Sequence, residues 1–143
     1  MSKIFVILTF CSFLIAGCIQ NEVVLPDGTK VGVELAKTRE QTERGLMFRE
    51  NLEENNGMLF VFSQDDDRYF WMKNTLIDLD IIFINSQGKI VNIAEKVPHS
   101  YIAAPEEEIA TAKGFGKYVL EVNSGFAQKH NLKIGDRLNL KIK

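Results

Sequence analysis

The feature that most constrains this chain is a succession of short apolar runs rich in β-branched and aromatic residues, each closed by a turn signal. They fall at residues 58–62, 68–73, 79–84, 89–93 and 118–122, and their length and composition predict strands. Several of them, residues 81–84 above all, are apolar at both parities. Both faces of such a strand must be buried, so the sheet is expected to close or be sandwiched rather than lie open. The breaks agree: residues 63–67 are polar and acidic, and Asn85-Ser86-Gln87-Gly88 reads as a tight turn with glycine where φ > 0 is needed.

The flanking segments complete the expectation. Residues 23–25 and 30–35 surround Pro26-Asp27-Gly28-Thr29, where proline presets φ and glycine accepts a positive one, so a β-hairpin opens the domain. Thr38-Arg39-Glu40-Gln41 reads as a capping box at the start of a short helix that Gly45 can end. Ser124 is expected to cap a second short helix running to His130, and residues 136–142 alternate as a last strand with Leu138, Leu140 and Ile142 on one face. Residues 98–116, carrying Pro105 and Glu106-Glu107-Glu108, show the least pattern and predict a surface loop, a candidate lid. The expected fold class is mainly β: a compact antiparallel barrel-like or sandwich-like domain with two short helices, one domain over residues 23–143.

The N-terminus is of a different character. Lys3 opens an apolar run from Ile4 to Ala16 broken only by Thr9 and Ser12, followed by Ile15-Ala16-Gly17-Cys18. The run falls short of the roughly 20 apolar residues a transmembrane helix needs, and a basic start, short apolar core and small residues before the cleavage point are those of an export signal. The Ile-Ala-Gly-Cys block resembles a bacterial lipobox. The expectation is a signal peptide at residues 1–17, a lipidated tether at 18–22 with lipid on Cys18, and a domain held to a membrane on its extracytoplasmic side in the cell envelope. Cys11 leaves with the signal and Cys18 carries lipid, so disulfides, zinc–cysteine sites and cysteine nucleophiles are excluded from the mature domain. A net charge of −2 gives no electrostatic footprint for nucleic acid.

The densest cluster of unusual residues is Arg44-Gly45-Leu46-Met47-Phe48-Arg49, Gly57-Met58-Leu59-Phe60-Val61-Phe62, Phe70-Trp71-Met72-Lys73-Asn74-Thr75 and Leu79-Asp80-Ile81-Ile82-Phe83-Ile84. With Tyr118-Val119-Leu120-Glu121-Val122 and Gly135-Asp136-Arg137, these segments closely resemble, in order and over nearly the whole mature chain, the prokaryotic family known as domain of unknown function 192. The resemblance implies a compact, mostly antiparallel β domain with one or two short helices, often exported or lipid-anchored, and it brings no biochemical activity with it. Asp78 stands where that family usually has proline. Some members also carry cysteines in the region matching residues 98–116, where this chain has none.

The candidate site follows from the turn after residues 68–73. Lys73, Asn74, Asp78 and Asp80 crowd it, and Arg44 and Arg49 could reach the same rim. One reading is a polar pocket at the mouth of a barrel, floored by Trp71, in which Arg44, Arg49, Lys73, Asn74 and Asp80 bind a small polar or anionic ligand such as a glycan or carboxylate. The other is turn chemistry alone, with Asn74 and Asp80 capping and the basic residues neutralising them. An enzyme acting on an envelope glycan would use Asp78 and Asp80 as a carboxylate pair, with His99 a further candidate base. No catalytic residue is assigned. Met47, Met58 and Met72 beside Trp71 would suit Cu(I), but methionine is the ordinary filler of cores, and neither acidic run has calcium-loop spacing; no metal or cofactor is expected.

Overall fold

The computed structural model describes residues 21–143; the expectations for the leader and for Cys18 lie outside the described residues. The elements are β1 (Glu22–Val24), β2 (Lys30–Ala36), α1 (Arg39–Arg44), β3 (Asn56–Trp71), β4 (Leu79–Ile84), β5 (Ile90–Val97), β6 (Thr111–Asn123), α2 (Phe126–Lys129) and β7 (Asn139–Lys141). They form one seven-stranded sheet in the order β5-β4-β6-β3-β2-β1-β7, curled into a half-barrel with the two short helices packed on it. Among the described residues no helix is long and apolar enough to cross a membrane.

The opening hairpin forms as expected, β1 pairing antiparallel with β2. Its turn is closed by Asp27, whose carboxylate accepts from the Thr29 amide at 2.8 Å. The β2–β3 pair is parallel, because α1 and the segment after it carry the chain back along the sheet, as a parallel crossover requires. Thr38 and Gln41 form the capping box on α1. At the sheet edges, the Ile90 amide donates to the Asp136 carbonyl at 2.9 Å and Gly135 donates to Ile90 at 2.8 Å. These bonds draw β5 toward the segment that leads into β7.

Burial on both faces, read from the apolar runs at both parities, is realised as two cores. One face of the central strands places Leu59, Ile82, Ile84, Leu120 and Val122 against Val23, Val31, Phe126 and Leu138. The other places Met58, Phe60, Ile81, Phe83 and Val119 against Ala36, Leu46, Met72 and Ala112. All six residues of β4 are buried.

Three local expectations are corrected. Residues 63–67 do not separate two strands: β3 runs through them, and its pairing with β6 shifts register between Val61 and Asp66. The extra β3 residues at that shift bend the ribbon, so its outer half folds back over the second core. There Phe70 packs edge-on against Phe60 at 4.8 Å and Phe83 at 6.0 Å. The loop is shorter than residues 98–116, since β6 already begins at Thr111. Gly114 and Gly116 hid that strand, and both are there for close approach: a Cβ on Gly114 would lie 2.3 Å from Phe83 Cγ, and one on Gly116 would lie 2.4 Å from the Ile84 carbonyl oxygen. Finally, Ser124 does not cap α2. The cap residue is Gly125, without a side-chain bond of its own, and the capping acceptor is Asp80 from β4.

Candidate functional site

Asp80 is wholly buried, and its carboxylate is fully engaged by backbone. Oδ1 accepts from the Lys96 amide at 2.8 Å and the Gly125 amide at 3.1 Å, and Oδ2 accepts from the Ala127 amide at 2.8 Å. It thereby fixes the start of α2 and the irregularity in β5, where Leu79 pairs with Val97 but Ile81 with Ala94. Asp78 is exposed and accepts from His99 twice, from the amide at 2.8 Å and from Nδ1 at 2.6 Å. Those bonds hold its carboxyl below the ordinary range. The two aspartates are thus tied to different partners, and neither borders the cavity described below.

The remaining residues of the predicted rim are dispersed. Asn74, at φ +51°, accepts from the Ala103 amide at 2.9 Å through Oδ1, and its carbonyl accepts from Phe48 at 2.8 Å. Ser100 adds a hydroxyl bond to the Met72 carbonyl at 2.6 Å and an amide bond to Thr75 at 2.9 Å. The 98–110 loop is therefore pinned onto the turn that follows β3. Lys73 holds its ammonium 4.7 Å from the Trp71 ring centroid. Arg49 forms a two-pronged pair with Glu34 at 2.7 and 2.6 Å, which lowers the Glu34 carboxyl below its ordinary value. Met58 and Met72 sit in the second core, while Met47 faces the cavity.

Two of the predicted residues, Arg44 and Trp71, do border one cavity of about 250 Å³ between α1 and the β3–β6 ribbon, together with Thr42, Phe62, Phe70 and Glu121. Glu121 was missed as a site residue. It lies in the middle of β6, facing Met58 on β3 and Ile81 on β4, on the inward parity that it shares with Val119. It is 6% exposed. Among the described residues no group hydrogen-bonds to its carboxyl, and burial alone pushes it up to about 8. One of its oxygens stands 3.9 Å from where a Cβ on Gly45 would be, an ordinary contact distance, so the end of α1 lies beside the carboxyl. The signal was present in the sequence: a lone acid at an inward position of Tyr118-Val119-Leu120-Glu121-Val122 contradicts its strand.

Around Glu121 the cavity offers a protonated carboxyl, a threonine hydroxyl and aromatic walls, with a guanidinium at its edge. Glu43, also on its border, is occupied by Arg39 at 2.7 Å. Arg44 makes no ion pair among the described residues. It also borders a neighbouring hollow of about 320 Å³ shared with Arg49 and Glu34. Such a set can bind and orient a small polar molecule; among the described residues no group of three His, Cys, Asp or Glu is placed to hold a metal.

Comparison with known proteins agrees with the fold. A crystal structure of a proposed transcription regulator from Sinorhizobium meliloti 1021 is 37% identical, with a TM-score of 0.71 over 85% of this chain and 92% of that one. A protein of unknown function from Novosphingobium aromaticivorans DSM 12444 is 34% identical, with a TM-score of 0.70 over 84% of this chain and 83% of that one. No curated protein matches. The profile of the family DUF192, described as an uncharacterised ACR, matches residues 22–140, and the chain belongs to that family.

Proposed function

We propose that this protein is a lipid-anchored, extracytoplasmic module of the cell envelope that binds a small polar ligand in the cavity at Glu121 without transforming it. The tether rests on the basic start, the apolar run and the Ile15-Ala16-Gly17-Cys18 block. With β1 beginning at Glu22, only three residues separate Cys18 from the sheet, which keeps the domain close to the bilayer. The binding role rests on one observation above all: the carboxyl of a buried glutamate, without a hydrogen-bond partner among the described residues, opens on a cavity that Arg44, free of ion pairs among the same residues, also borders. Such a group costs folding energy unless something else satisfies it, and a ligand is the economical explanation. The net charge of −2 does not favour a nucleic-acid partner.

Two experiments test the two halves. Labelled fatty acid should enter the wild-type protein and not Cys18→Ala, which should be lost from the membrane fraction; equal labelling of both would refute the anchor. A thermal-shift screen of the detergent-solubilised chain against cell-wall sugars, short glycans and small carboxylates should yield a stabilising compound. A hundredfold excess over its Kd contributes about 2.7 kcal/mol. That stabilisation should vanish in Arg44→Ala while Lys73→Ala retains it; a ligand indifferent to Arg44 and Glu121 would place the site elsewhere.

A further inference from the structure

Resting on that reading, we propose that the cavity takes a carboxylate anion carried on a ring-sized apolar body, its head group held between the Arg44 guanidinium and the Glu121 carboxyl that border it. The charges around Glu121 lead to this choice. From α1, Glu43 is paired with Arg39 at 2.7 Å, while Arg44 makes no ion pair among the described residues. From β3 and β4 the residues opposite Glu121 are Met58 and Ile81, neither charged. Tyr69, also on the border, has the Lys113 ammonium 5.4 Å from its ring centroid, on the outer half of the ribbon. In this surrounding the Arg44 guanidinium at the cavity's edge favours an ionised Glu121, but desolvation opposes it and prevails, holding the carboxyl up at about 8.

A neutral carboxyl donates one O–H, and its best acceptor is an anionic oxygen, because charge-assisted bonds are roughly twice as strong as neutral ones. A carboxylate presents two oxygens, one for that O–H and one for the guanidinium, whose fork matches carboxylate geometry. An organic cation would need Glu121 ionised and would face Arg44. The body of the ligand is set by the walls: Phe62, Phe70 and Trp71 offer aromatic surface, and about 250 Å³ has room for a single ring.

The test uses three probes that share one ring and differ in head group: benzoate, benzamide and benzylammonium, titrated calorimetrically into the full chain in detergent at pH 6 and pH 9. Benzoate should bind most tightly at pH 6 and about tenfold more weakly at pH 9, as Glu121 ionises and the binding-competent fraction falls. Glu121→Gln, which keeps a neutral donor, should bind benzoate with no such pH dependence, and Arg44→Ala should lose at least tenfold in affinity. Circular dichroism confirms that each variant is folded. Benzylammonium or benzamide binding more tightly than benzoate, with dependence on Glu121, would overturn the anion assignment and leave the cavity as a binding site. Failure of all three probes on folded wild type would overturn both.

Discussion

Glu121→Gln preserves the shape of a protonated carboxyl and removes its titration, so it isolates what the buried acid does to stability. Burial raises the Glu121 carboxyl from an ordinary value of 4.5 to about 8. Between those values the folded protein holds a proton that the unfolded chain has released, so stability must fall as pH rises. The contribution is intact below about pH 4.5 and gone above about pH 8. At about 1.4 kcal/mol per pH unit, wild type loses as much as about 5 kcal/mol across the window, and about 3 kcal/mol of it by pH 7. Water reaching the cavity screens the carboxylate, which makes these upper figures. Urea unfolding of both proteins at pH 5, 6, 7 and 8 supplies the comparison, read from midpoints at constant slope. Every other titrating group is common to the two proteins and cancels. Glu121→Gln should gain on wild type steadily with pH and be clearly the more stable at pH 8. Two curves that stay parallel within about 0.5 kcal/mol would show that Glu121 is solvated as an ordinary carboxylate, and the reasoning would fail.

Three further outcomes are expected. Asp80→Ala removes the acceptor of three backbone amides and should cost about 3–5 kcal/mol in urea unfolding, with Asp80→Asn intermediate because it keeps one acceptor oxygen. Gly114→Ala drives a methyl into the fully buried Phe83 ring and should lower stability by about 1–3 kcal/mol; an unchanged melting temperature would mean that the outer β3–β6 ribbon lifts freely from the core. Arg49→Ala should cost at most about 1 kcal/mol, since its pair with Glu34 is solvent-accessible on both sides, and added salt should erase the difference from wild type.

Much of the fold could be read from local chemistry, and the failures have physical reasons. The opening hairpin and the capping box are local motifs in which the residues that set the geometry are neighbours, so they could be placed from the chain alone. The double-sided burial of β4 followed from its unbroken apolar run. The outer half of β6 reads as loop in the sequence because Gly114 and Gly116 weaken any strand pattern; they are required by Phe83 and Ile84, more than thirty residues earlier in the chain. The sequence points to Ser124, the adjacent polar residue, as the cap of α2, but the capping carboxylate comes from Asp80 on another strand. Propensity and spacing carry no information about such long-range partners. The candidate site divides in the same way: Arg44 and Trp71 border the cavity, whereas Asn74, Asp80 and Arg49 are occupied by partners that only the fold reveals.

Asp80 and Glu121 together show how a buried acid can be assigned a role. Both lie in central strands and are almost wholly out of solvent. The Asp80 carboxylate is surrounded by amides that satisfy it, so its burial is offset within the fold and its removal leaves those amides without an acceptor. Glu121 has no such offset among the described residues, and its energetic burden above pH 4.5 is borne by the whole domain. Replacing the first should therefore destabilise, while replacing the second should stabilise at neutral and alkaline pH. That difference in sign separates an acid that organises the fold from one held in reserve for a ligand. A glutamate whose removal both strengthens the fold and abolishes the pH dependence of binding has been kept at a cost to stability, and the cavity beside it is where the return on that cost would be found.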